Sequence, residues 1–120
     1  MKSFVGAAAI FLIAASTASA ADVGGTYNVE GTNFNGARYT GTASITRTSE
    51  TTCNIVWNTG GQTSTGICMR YANTFSAAYR LGDRVGLVIY EIKDDGSLVG
   101  SWTVAGEEGA GTETLTPTGH

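Results

Sequence analysis

From about position 25 onward, apolar and small polar residues alternate with a period of two, as in "TYNVEG", "YTGTASITR" and "NIVWN". Tyr, Val, Ile and Trp fall on one side of such a segment, and Thr, Ser and Asn on the other. That is the pattern of half-buried strands rather than helices. Glycine-bearing turns recur about every 12 residues, which divides the chain into a meander. Eight strands are predicted at 26–33, 37–47, 51–58, 62–70, 74–81, 84–92, 97–105 and 109–116. Pro117 falls just past the last of them, where it would interrupt no ladder.

Turn geometry fixes the register of a hairpin, and register fixes which side chains share a face. A three-residue loop at Phe34, Asn35 and Gly36 pairs Tyr39 with Gly31 and Ala43 with Tyr27. A similar loop at Thr48–Glu50 sets Ile45 opposite Cys53 and Gly41 opposite Trp57. The Gly60-Gly61 turn sets Cys53 opposite Cys68, and a turn at Tyr71-Ala72 brings Cys68 to Phe75 and Ser64 to Tyr79. Gly82-Asp83 pairs Tyr79 with Gly86 and Phe75 with Tyr90. The "DDG" turn pairs Tyr90 with Gly100 and Val88 with Trp102, and a turn at Glu107-Glu108 pairs Val104 with Gly111 and Trp102 with Glu113.

One face then collects Tyr27, Val29, Tyr39, Ile45, Ile55, Trp57, Phe75, Tyr79, Val88, Tyr90, Leu98, Trp102, Val104 and Leu115, with Phe34 and Tyr71 left in loops. Glycines at 31, 41, 66, 86, 100 and 111 share it, giving room for bends and for large rings opposite. The expected fold is all-β: an eight-stranded antiparallel up-and-down meander, closed into a small barrel so that no edge is exposed. A two-sheet sandwich is the competing architecture.

The segment "CNIVWNTGGQTSTGICM" holds both cysteines of the chain, symmetric about its glycine turn. As cross-strand neighbours, Cys53 and Cys68 are placed to form a disulfide, which across about 16 residues contributes roughly 3 kcal/mol on the chain-entropy estimate. Residues 1–20, "MKSFVGAAAIFLIAASTASA", have one charge at Lys2, an apolar stretch and an Ala-Ser-Ala end, which reads as a secretory signal peptide. Residues 21–120 then form a single exported domain, in the periplasm or outside the cell, where oxidised cysteines are the rule. No membrane-spanning segment is expected. Without Lys2, six Lys/Arg stand against ten Asp/Glu, a net charge of −4 that disfavours nucleic acid and anionic lipid as partners.

The sole histidine is His120, beyond the final strand, so histidine-dependent nucleophilic triads and a zinc site are not expected. No metal or other cofactor is indicated. "GEEGAG" at 106–111 has glutamates that would repel phosphate and reads as a turn, as does Asp94-Asp95-Gly96. Glu113 is the one acid that the register turns inward. It sits near the barrel mouth, or is rotated outward by a bulge, or is a buried carboxylate accepting bonds from Tyr27 or a ligand. The inner rings admit two readings as well, a filled core or a pocket formed by Tyr27, Trp57, Tyr79, Tyr90, Trp102 and Glu113. On the outer face Val56, Ile67, Met69, Ala78, Leu87, Ile89 and Val99 form an apolar group, read as a protein-binding patch or as a strand covered on both sides.

The succession "GTYNVEGTNFNG", "YTGTASIT", "CNIVWNTGGQTSTGICM", "GLVIYEIKDDGSLVGSWTVAG" and "GTETLTP" resembles small exported bacterial β-proteins commonly labelled fibronectin-binding protein, from Gly25 to Pro117. That resemblance implies an exported binding module for a host matrix glycoprotein such as fibronectin. A fainter similarity to avidin and lipocalin-type barrels rests on Gly25-Thr26-Tyr27 and Gly100-Ser101-Trp102, and implies a small-molecule carrier. Small periplasmic protease inhibitors resemble it in carrying a disulfide on a comparable barrel. The expectation is therefore a non-enzymatic binding module with a protein partner, or alternatively a carrier or an inhibitor.

Overall fold

The computed structural model describes residues 22–118, and the signal-peptide reading of 1–20 lies outside the described residues. Eight strands follow one another: β1 Gly25–Thr32, β2 Arg38–Arg47, β3 Thr52–Thr59, β4 Gln62–Tyr71, β5 Thr74–Leu81, β6 Arg84–Ile92, β7 Leu98–Val104 and β8 Gly111–Pro117. Each pairs antiparallel with the next, and β8 returns to β1, so the sheet is a closed barrel. Closure satisfies the backbone groups of the first and last strands on each other. The sandwich alternative is excluded. Pro117 is the last residue of β8, opposite Tyr27, rather than beyond the strand.

Four predicted hairpin registers hold, and with them the pairs Tyr27 with Ala43, Cys53 with Cys68, Phe75 with Tyr90, Tyr79 with Gly86 and Val88 with Trp102. The Cys53–Cys68 disulfide is formed, with its Cα atoms 5.0 Å apart. Both Gly60 and Gly61 take positive φ, 57° and 79°, as the tight β3–β4 turn requires.

Three connections differ from expectation, each by two residues. Ile45 faces Ile55, and Cys53 faces Arg47, because Ser49 ties the β2–β3 loop by accepting bonds from the amides of Thr51 and Thr52. Gly41 accordingly faces Thr59 rather than Trp57. The β4–β5 turn is Ala72-Asn73, with Ala72 at φ 55°, so Cys68 meets Ala77 and Tyr79 meets Gly66. Between β7 and β8 the longer loop pairs Trp102 with Gly111 and Glu113 with Gly100.

A slip of two leaves every side chain on its own face. Twelve of the fourteen residues assigned to the inner face are buried in the core cluster, with Tyr39 and Trp102 partly buried against it; the paired Cys53 and Cys68 lie on the same face as expected, and Val23, Ala43, Ala77 and Ile92 join them. Phe34 lies in the β1–β2 loop, and its ring packs on Trp102 with centroids 4.9 Å apart.

Candidate functional site

The two ends of the barrel differ. At the end where the chain enters β1, Val23 is buried and the Tyr27 hydroxyl accepts the Gly24 amide at 2.8 Å. Together with Phe75, Leu98 and Leu115, these side chains close that end. Tyr27 is therefore not part of a ligand pocket with Glu113. Its hydroxyl is spent on the N-terminal segment, and burial raises its pKa.

At the other end, beneath the β1–β2, β3–β4, β5–β6 and β7–β8 loops, a cavity of about 280 Å³ remains open. Trp57, Tyr79, Trp102 and Glu113 line it, as do Tyr39 and Ser64. Tyr90 lies deeper and is almost fully buried.

Glu113 reaches this position because β8 alternates Gly111, Glu113 and Leu115 inward. Its cross-strand neighbours are Gly31 on β1 and Gly100 on β7, so no side chain stands beside it on either flank. Aromatic rings from farther strands enter the space. Tyr39 donates to Oε1 at 2.6 Å, while the Trp57 indole N–H and the Tyr90 hydroxyl donate to Oε2 at 2.8 and 2.5 Å. Three donors from β2, β3 and β6 thus converge on one carboxyl group that is only 7 % exposed. Burial of such a group is tolerated because its oxygens are paired. Among the described residues, no buried side-chain nitrogen or oxygen lacks a partner.

The same carboxylate acts on the tyrosines. Burial first, then the charge of Glu113, pushes Tyr79 up to about 12. The same two causes, followed by the hydrogen bond to Glu113, raise Tyr39 and Tyr90 well above the ordinary phenol range. These hydroxyls hold their protons and act as donors.

Glycines let the rings lie against the wall. A Cβ at Gly86 would collide with the Tyr79 ring, and one at Gly31 with the ring of Tyr39. Tyr79 also donates to the Thr103 carbonyl at 3.0 Å and meets Trp57 edge-on at 5.1 Å.

Tyr39 and Ser64 line the cavity in addition to the residues expected there, while Phe34 touches it only through Trp102. The pairing of Tyr39 with Gly31, already readable from the hairpin, was the signal for the first. The actual donors to Glu113 are Tyr39, Trp57 and Tyr90 rather than Tyr27.

The outer group is solvent-exposed: Ile67 at 68 %, Leu87 at 59 %, Ile89 at 56 % and Met69 at 53 %. Ile67, Ala78 and Leu87 form one cross-strand row, and Met69, Ser76 and Ile89 the next. Val99, at 39 %, sits beyond them opposite Glu91, and Val56 is half-buried opposite Thr65. Among the described residues, no second layer covers β6.

No protein-family model and no curated protein matches the chain. Among solved structures, it is similar to a redesigned β-barrel, mFAP1, bound to DFHBI, with 20 % identity, a TM-score of 0.68, and coverage of 79 % of this chain and 94 % of that one. A second redesigned β-barrel matches with 17 % identity and a TM-score of 0.70, over 81 % and 92 % of the two chains. A variant of the fluorescent protein UnaG matches with 12 % identity and a TM-score of 0.51, over 80 % and 96 %. These likenesses show the fold.

Proposed function

We propose that this protein is an exported, non-enzymatic binding module that takes a small molecule into the open end of its barrel. The observation that carries this reading is the cavity of about 280 Å³ ending on a buried, ring-bound carboxylate. A lumen serving only as core is filled by apolar side chains, whereas a ligand site combines apolar walls with a few convergent polar groups. The DFHBI bound to mFAP1 supports the same use of this architecture. Binding without turnover is supported by the lining, in which Glu113 is the single carboxyl group among the described residues. Export is supported by the disulfide and by the leader read in the sequence.

The test is a titration of tryptophan fluorescence with a panel of small aromatic compounds, run on the native protein and on Ser64→Phe. The introduced phenyl ring would occupy the cavity from β4 while leaving Glu113 in place. Compounds that quench the native protein should lose that effect in the variant; quenching that persists unchanged places binding elsewhere, and a panel with no binder removes the reading.

A second reading has its own observation, the exposed rows of Ile67, Met69, Leu87 and Ile89, which would suit a protein partner. Fibronectin as that partner is supported by the sequence resemblance alone. Ile67→Asp combined with Leu87→Asp should abolish retention on immobilised fibronectin. Unchanged retention by the folded double variant excludes the patch.

A further inference from the structure

We infer that the ligand of the mouth cavity is a small organic cation bearing an N–H donor, an assignment that rests on the cavity reading above. Three features of the site point the same way. The first is charge. Glu113 lines the cavity, and among the described residues none of its lining side chains is Lys or Arg. Arg84, at the start of β6, is engaged elsewhere, at 2.9 Å by Glu107 and at 3.0 Å by the Ala105 carbonyl. An anionic ligand would meet a buried negative charge with nothing to offset it, at short range and away from bulk water.

The second is acceptor capacity. A carboxylate offers about four lone-pair sites. Trp57 and Tyr90 occupy two on Oε2, and Tyr39 occupies one on Oε1. The remaining site on Oε1 suits a donor, and a charged N–H makes the stronger bond. An acceptor group at that point would be repelled.

The third is the wall. Trp57, Tyr79, Tyr39 and Trp102 line the space, and the faces of such rings carry negative potential that attracts an ammonium. Phe34, packed on Trp102 from the β1–β2 loop, adds apolar surface beside the mouth for the remainder of the ligand. At about 280 Å³ the cavity is at the lower end of ligand pockets, which fits a compound with a single ring and a short amine arm rather than a peptide.

The experiment compares three probes of nearly equal size, phenethylammonium, 2-phenylethanol and phenylacetate, by calorimetry and tryptophan fluorescence at neutral pH. Phenethylammonium should bind at least tenfold more tightly than the alcohol, and phenylacetate most weakly. In Glu113→Gln the preference for the amine over the alcohol should fall to threefold or less. Tyr39→Phe, which keeps the charge and removes one donor, should retain the preference.

Should Glu113→Gln fail to fold, the ranking of the three probes on the native protein still decides. If alcohol and acetate bind as well as the amine, and all three weaken in Ser64→Phe, the cation assignment falls while the cavity reading stands. If the amine preference survives in folded Glu113→Gln, the assignment to Glu113 falls. If none of the three binds while other aromatic compounds do, the cation assignment alone falls; if no compound binds, both readings fall.

Discussion

Replacing Glu113 by Leu removes the acceptor and leaves its three donors where they are. Trp57 Nε1 and the Tyr90 hydroxyl are buried, so each is left without its partner, at about 1–3 kcal/mol apiece. Tyr39 is half-buried and lies 3.4 Å from the Thr112 carbonyl, to which it can turn. Against this, the desolvation of a carboxylate is relieved, which is why an apolar replacement of an entire buried charged cluster is commonly neutral or stabilising. Glu113→Leu alone is the other case, with partners stranded, and should cost about 2–4 kcal/mol. Tyr90→Phe in the native background removes a charge-assisted bond and should cost about 1.5–3 kcal/mol. In the Glu113→Leu background the same change removes an orphaned hydroxyl and should cost nothing or stabilise. The double-mutant cycle should therefore give a coupling of about 2 kcal/mol or more. Urea unfolding followed by far-ultraviolet circular dichroism, with the disulfide intact and an unchanged slope, supplies the four stabilities. Additivity within about 0.5 kcal/mol would refute the shared network.

Other outcomes follow from single features of the fold. Because Tyr27, Tyr39, Tyr79 and Tyr90 have raised pKa values, stability should be fully present below about pH 10 and lost as pH rises toward 12, the value for Tyr79. Urea midpoints measured from about pH 8 to 12 check the sign; a midpoint that rises over that range contradicts it. Ala72, held at φ 55°, should be improved by Ala72→Gly by about 0.5 kcal/mol, the left-handed penalty of Ala outweighing the extra chain entropy of Gly; a lower melting temperature would reject it. Gly86→Ala drives a methyl into the Tyr79 ring and should cost about 1–3 kcal/mol, read by thermal melting, together with loss of aromatic-probe binding.

Much of this barrel is legible in the chain because its periodicity is two and its turns are marked by glycine. Val29, Ile55, Tyr90 and Leu115 declare their face by alternation alone, whatever the loop lengths. Exact pairings are less secure where the turn lacks a glycine. Ala72 adopts a conformation that its side chain disfavours, so Asn73 is the one local mark for Ala72-Asn73 over Tyr71-Ala72. The β2–β3 loop is set by the hydroxyl of Ser49, a choice made by geometry rather than composition.

Glu113 could be assigned inward, yet its partners could not be read. Trp57, Tyr39 and Tyr90 come from strands that meet it only across the lumen, and the β7–β8 register needed for its neighbours was shifted by two. Phe34 looks like an ordinary loop residue between two asparagines until closure brings Trp102 beneath it.

The exchange of the two indole protons with solvent tests the buried carboxylate most directly. Trp57 Nε1–H is enclosed and bonded to Glu113, whereas Trp102 Nε1–H is more exposed and bonded at 3.2 Å to the Thr112 carbonyl. In a ¹H–¹⁵N spectrum the Trp57 indole proton should exchange far more slowly than that of Trp102, and Glu113→Leu should shift and deprotect it selectively. Equal exchange at the two indoles, or a Trp57 signal indifferent to the loss of Glu113, would contradict the site.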